Sequence, residues 1–187
     1  EHWVNNVINQ PDVKEDLIKW CKELTGYSLE LNNVKTTHES RAEVLLRKPN
    51  STKVSIDNVG FGIGQLLPII AEGLLKKRGS IVVEQPEIHV HPKLQAELVE
   101  FLTKTAKTGR NKQGNRWLIE THSHLMALRV QKKIRNGSLK KEDVAFYYCD
   151  PSKQGTEIKE LRLDDEGNWL DAWPSGFFEE AYNEKFK

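Results

Sequence analysis

The chain has 187 residues, 37% of them hydrophobic and 29% charged, which suits one soluble globular domain large enough to bury a core without staples. Its formal net charge of +1 supplies no global basic field, so any contact with nucleic acid has to come from a local patch. No apolar run is long enough to span a bilayer, the first residues lack the layout of a secretory signal, and Cys21 and Cys149 match no zinc spacing; the expectation is a cytoplasmic protein with free thiols and no membrane partner.

In chain order, Val13, Leu17, Ile18, Trp20, Cys21 and Leu24 are spaced for one face of a helix over 12–24, with Gly26 as its stop. Residues 28–36, 43–47 and 52–56 alternate or carry β-branched side chains and predict an antiparallel β layer, with Asn32-Asn33 and Pro49-Asn50-Ser51 as turns. Val59 to Gln65 then places glycines at 60, 62 and 64 ahead of an apolar helix over 66–75. Glycines in such a turn let backbone N–H groups approach an anion, and the helix dipole favours negative charge there. Pro68 is expected to kink or begin that helix, and Lys76-Lys77-Arg78-Gly79 to end it.

Ile81, Val82 and Val83 have the composition of a strand buried in a parallel sheet. The run stops at Glu84, Gln85 and Glu87, at the strand end where open α/β sheets bind ligands. Two acids so close repel unless something cationic sits between them, and a divalent metal on a phosphate would serve. An amphipathic helix over 93–107 and a polar loop over 108–115, expected to be mobile, lead to a second strand at 116–120. That strand also ends in polar residues, Glu120 to His124. The pair reads as a βαβ unit with a site at its carboxyl edge. Residues 125–135 predict a basic helix in which Arg129, Lys132, Lys133 and Arg135 form either a solvated face or a phosphate-contacting patch for DNA or RNA. Residues 143–149 and 156–163 predict an edge hairpin across the turn at 150–152, and the aromatic tail from Trp169 to Phe178 a core hook.

The segment Glu84-Gln85-Pro86-Glu87-Ile88-His89-Val90-His91-Pro92 resembles the Walker B and D-loop segment of ABC-type ATPases, in the AAA-family branch that includes OLD, RecF and SMC-like proteins. The tail Trp173-Pro174-Ser175-Gly176-Phe177-Phe178 is similar to the end of that branch. Phe61 to Gln65 resembles the signature loop, with Gly62 where that pattern has serine and Ile63 where it has the first of two glycines; Thr121-His122-Ser123 resembles the switch-histidine loop. The resemblance implies an α/β fold, the C-terminal lobe of an ATPase head, with parallel strands, flanking helices and an antiparallel addition. One domain over 1–187 would comprise a helix and β layer (1–56), the motif core (57–125), and a helix, hairpin and tail (126–187).

By the same resemblance ATP and Mg2+ are the cofactors, Glu84 holds the magnesium, and Gly62, Ile63, Gly64 and Gln65 contact nucleotide. Gln85, Glu87 and His122 share the catalytic role: the glutamine orients water, the glutamate takes the proton, and the histidine stabilises developing charge. His89 and His91 fall in the loop that contacts the opposite subunit; extended, they would point the same way, which leaves a metal-binding reading open beside that one. No G-x-x-x-x-G-K-[ST] occurs, so the half that cradles the phosphates is expected in the same gene product or another chain. The implied function is ATP binding and hydrolysis that drives head dimerisation, in DNA repair or anti-phage defence, with a nuclease partner and DNA as candidate partners. The alternative is a degenerate head serving as a scaffold or nucleic-acid module.

Overall fold

The computed structural model describes residues 2–35, 40–76, 79–108, 114–152 and 155–173. The chain forms two compact units, Glu1–Ser123 and His124–Lys187.

The first unit opens with helices α1 (His2–Ile8) and α2 (Pro11–Thr25). Proline at the first position, Asp12 in the first turn and Lys22 in the last suit the polarity of α2. Gly26 ends it at φ 75°, its N–H donating to the Lys22 carbonyl at 3.0 Å. Val13, Leu17, Cys21 and Leu24 are buried along one face, as their spacing predicts.

Strands β1 (Ser28–Lys35), β2 (Ser40–Arg47) and β3 (Val54–Ser55) form the expected antiparallel layer in the order β1-β2-β3. Leu29, Leu31, Val44 and Leu46 are buried at alternate positions. Asn32 and Asn33, expected as a turn, lie inside β1 opposite Glu43 and Ala42. The apolar alternation of Leu29 and Leu31 carries the ladder past them. The turn at Pro49-Asn50-Ser51 is as expected, with Asn50 left-handed at φ 59°.

Helix α3 (Phe61–Leu75) runs through Pro68 and starts five residues earlier than the apolar run. The glycine segment is therefore the first turns of a helix rather than a loop before one. Strand β4 (Ser80–Glu84), helix α4 (Pro92–Thr108) and strand β5 (Arg116–Glu120) make the expected βαβ unit, parallel and in register from Ser80↔Arg116 to Glu84↔Glu120. One expectation for β4 fails. Ile81 is buried, but Val82 is 63% exposed, as is its register partner Leu118 at 60%. Among the described residues this sheet is covered on one face only. The polar loop expected over 108–115 lies partly outside the described residues; Gly114 and Asn115 lead straight into β5.

Aromatic rings set the spacing of this unit. Phe101 of α4 is fully buried and meets Trp20 edge-on at 5.0 Å and Trp117 at 6.1 Å. The indole of Trp117 donates to the Thr105 hydroxyl at 3.0 Å. Gly73 of α3 lies against these rings: a Cβ there would stand 2.7 Å from Phe101 and 2.8 Å from Trp117.

The second unit comprises α5 (His124–Arg135), a 3-10 turn at Lys141–Asp143, and the antiparallel pair β6 (Phe146–Ser152) and β7 (Gly155–Leu161). The turn expected at 150–152 is paired strand, because the ladder continues through Asp150↔Glu157 to Ser152↔Gly155. Trp169 packs edge-on against Phe146 at 5.0 Å and Trp173 at 4.9 Å; positions 174–178 of the expected hook lie outside the described residues. Arg162 grips Asp171 with two guanidinium bonds of 3.0 and 2.7 Å and a backbone N–H bond of 2.7 Å. No described helix is long and apolar enough to cross a membrane.

Gly73→Ala overpacks buried rings, and urea denaturation should read a loss of about 1–3 kcal/mol; an unchanged midpoint would show that the rings yield freely. Arg162 holds the Asp171 carboxyl down to about 2, against about 3.9 in an unfolded chain. A depressed carboxylate stabilises the fold above its unfolded value and loses that contribution as pH falls through its folded one. Tryptophan fluorescence should therefore step between about pH 4 and pH 2, and the step should shrink in Asp171→Asn. An identical step in the variant would remove this clamp from the acid response.

Candidate active site

The parallel register decides the site, because it ends β4 and β5 together. Glu84 stands beside Glu120 on strands about 4.8 Å apart, and both are exposed. Like charges at that distance repel unless a cation or water screens them. The His122 Nε2 lies 3.6 Å from Glu120, an ion pair only when the imidazole is protonated.

Gln85 follows at φ 45°, a left-handed conformation that a residue with a Cβ seldom adopts. It is held there because its N–H donates to the Glu120 carbonyl at 2.8 Å, extending the ladder one step beyond β4. Residues so constrained cluster at functional sites. His89 is the second, at φ 58°, in a turn closed by Ile88 N–H to Gln85 O at 3.2 Å and Val90 N–H to Glu87 O at 3.0 Å. The extended geometry that would have aligned His89 with His91 is therefore absent. His91 instead turns its Nδ1 to the Lys93 N–H at 3.2 Å, at the start of α4.

Glu87 is not a free carboxylate. One oxygen accepts the Thr121 hydroxyl at 2.8 Å and the other the His122 backbone N–H at 2.6 Å. Gln95 of α4 makes a parallel link, donating to the Val90 carbonyl at 2.9 Å and accepting the Ser123 hydroxyl at 2.6 Å. Thr121 also accepts the Ser123 N–H at 3.0 Å. The turn after β4 and the loop after β5 are thus tied at both ends. Gln95 carries no signal in the sequence, and Thr121, though part of the triplet resembling the switch-histidine loop, gives no sign there of its bond to Glu87; the partners are 28 and 34 positions away.

Gly62 is buried under the same turn. A Cβ there would lie 2.5 Å from the His89 carbonyl oxygen, so only glycine admits this close approach of the turn's backbone. Ile63 and Gly64 are half-buried and Gln65 is exposed in the first turns of α3, where the Ile63 N–H is taken by the Gly60 carbonyl at 3.1 Å. Phe61, 81% exposed, faces His89 at 5.9 Å.

The donor set fits magnesium better than zinc. Among the described residues no three His, Cys, Asp or Glu side chains converge on a metal position. Zinc needs such a set, whereas magnesium takes one or two carboxylates and fills its shell with water and phosphate. Glu84, exposed at the strand end, meets that lesser demand.

The basic helix does not offer one face. In the second unit Lys133 is 9% exposed and Arg135 donates to the Glu166 carbonyl at 3.2 Å. Lys132 is exposed and Arg129 half-buried. The expected patch loses Lys133, since α5 turns that side chain inward with Gln131 and Ile134.

A family profile described as an AAA ATPase domain matches residues 5–127, and one for a protein of unknown function (DUF3696) matches residues 139–187. Among solved structures, a chain from work on ATP-driven dimerization and DNA-stimulated activation of SMC ATPases is similar at TM-score 0.62 and 10% identity, over 94% of this chain and 91% of that one. The Smc head of Pyrococcus furiosus bound to the C-terminal domain of ScpA gives 0.57 at 10% identity, over 80% of this chain and 34% of that one. The Smc head of Pyrococcus yayanosii, with a coiled coil and joint, gives 0.59 at 9% identity, over 94% and 29%. This chain thus spans about a third of those two heads. At such identities the likeness establishes the fold, an α/β head of SMC type. No curated protein matches the sequence.

A serine at position 62 tests the packing account. Gly62→Ser drives a Cβ into the His89 carbonyl and should destabilise the chain by about 1–3 kcal/mol in urea denaturation. Equal or greater stability would show that the turn has room and that Gly62 is open to other roles.

Proposed function

This chain belongs to the AAA ATPase domain family, and on that footing we propose that it forms part of a head that hydrolyses ATP and closes on a second head when ATP is bound. The strand edge carries the reading: Glu84 beside Glu120, a strained Gln85 bonded to the Glu120 carbonyl, and His122 next to the Glu120 carboxylate. When bound, Mg-ATP supplies the phosphoanhydride and a cation that offsets its charge. Glu84 would hold the magnesium. Gln85 orients water through its amide, having no basic atom with which to take a proton. His122 is exposed and stabilises charge that develops on the phosphate.

Ile63, Gly64 and Gln65 stand in the first turns of α3, at the positive end of the helix dipole, which favours an anion. In this proposal they face ATP held by the opposite head, and the turn bearing His89 and His91 meets that head. The half that cradles the phosphates packs on the open face of the β4–β5 sheet; the exposed pair Val82 and Leu118 supports that placement, because paired apolar side chains on a strand are seldom left in water. A role in DNA repair or anti-phage defence, with a nuclease partner or DNA, is the setting that the Glu84–Pro92 resemblance favours. A scaffold without hydrolysis is the second reading, and glutamine at position 85 is the observation in its favour.

With the phosphate-cradling half supplied, the wild-type protein should hydrolyse Mg-ATP, and Glu84→Gln should lower kcat by at least about 100-fold. A phosphate-release assay decides between the readings. Turnover no higher in the wild type than in the variant would replace the enzyme with the scaffold.

A further inference from the structure

We propose that Glu87 is a positioning residue and not the acceptor of the water's proton. The inference rests on the ATPase reading. Both of its oxygens are committed to the loop that carries His122, at 2.8 Å to the Thr121 hydroxyl and 2.6 Å to the His122 N–H. Each oxygen spends one of its two lone pairs on that loop, and the two bonds together fix the carboxylate's orientation toward it. Glu84 and Glu120 face solvent at the same edge.

The position Glu87 enforces comes from the turn after β4. That turn is closed by its own backbone bonds, carries His89 at φ 58°, and presses the His89 carbonyl onto Gly62 of α3. It has little freedom to shift alone. Through Glu87 at one end and Gln95 at the other, the loop of residues 121–123 inherits the same placement. The start of α3, the turn and the switch-histidine loop move as one body, so a displacement at Phe61 or His89 is delivered to His122. The strap thereby couples the surface that would meet a second head to the group that would sense the phosphate.

Two substitutions separate positioning from proton transfer. Glu87→Gln cannot take a proton, yet its carbonyl oxygen still accepts the His122 N–H and its amide reaches the Thr121 hydroxyl. Glu87→Ala removes both bonds. In the protein complete with its phosphate-cradling half, positioning predicts kcat within a few-fold of wild type for Glu87→Gln and about 100-fold lower for Glu87→Ala, with KM for ATP little changed. In the chain without nucleotide, hydrogen exchange of the His122 amide should be slow in wild type and Glu87→Gln and fast in Glu87→Ala. An equal, large loss of kcat in both variants overturns the proposal and makes Glu87 the base. Fast exchange in the wild type overturns it as well, since the strap would not exist. Absent turnover in the wild type with the expected exchange pattern rejects the ATPase reading, and with it the catalytic half of the proposal, while leaving the strap established.

Discussion

Everything at the candidate site depends on the parallel register between β4 and β5. Sliding one strand by a single residue would turn either Ile81 or Trp117 away from the core and move Glu84 off Glu120. The core prevents that slip, because Trp117 is pinned by Phe101 on one side and by its bond to Thr105 on the other. Two acids that would otherwise separate are thus kept together by hydrophobic packing several residues away.

Close approach of backbone is the second constraint, and two glycines of α3 provide it at opposite ends. Gly73 admits the aromatic rings and fixes how near α3 lies to α4 and β5. Gly62 admits the His89 carbonyl and fixes the turn after β4 against the start of the same helix. A helix seated at both ends transmits position along its length, since its interior hydrogen bonds leave it stiff. The polar straps at Glu87 and Gln95 then extend that rigidity to the loop after β5. Left-handed Gln85 and His89 sit where these restraints converge, as strained residues persist only where their surroundings over-determine them.

The second unit is stabilised differently. Its hairpin carries little apolar burial, with β7 exposed up to Leu161, and order there comes from polar closure: Arg162 on Asp171, Gln131 on the Gly167 carbonyl at 2.7 Å, and Asp164 capping the backbone of Glu166 and Asn168. Edge-on stacking of Trp169 with Phe146 and Trp173 supplies the apolar part. The Lys133 side chain, which the sequence offers as a cation for nucleic acid, is drawn into that small core. Long aliphatic stems serve well as packing material where larger apolar side chains are scarce.

Elements whose signals are local can be read from the amino acids alone. Apolar spacing located α2, α5 and the strands at 80–84 and 116–120 within a few residues, because periodicity and caps act over a single turn or pleat. The polar residues closing both strands disclosed the candidate edge, and the motif from Glu84 to Pro92 disclosed the family. Only the folded chain reveals what those residues touch. The carboxylate of Glu87 is committed to a loop 35 positions away, Gly62 lies against the His89 carbonyl, and Asn32-Asn33 is strand where local propensity reads turn. In each case the deciding partner is remote in sequence. Hydrogen bonds and steric contacts depend on distance in space, which periodicity and composition do not encode.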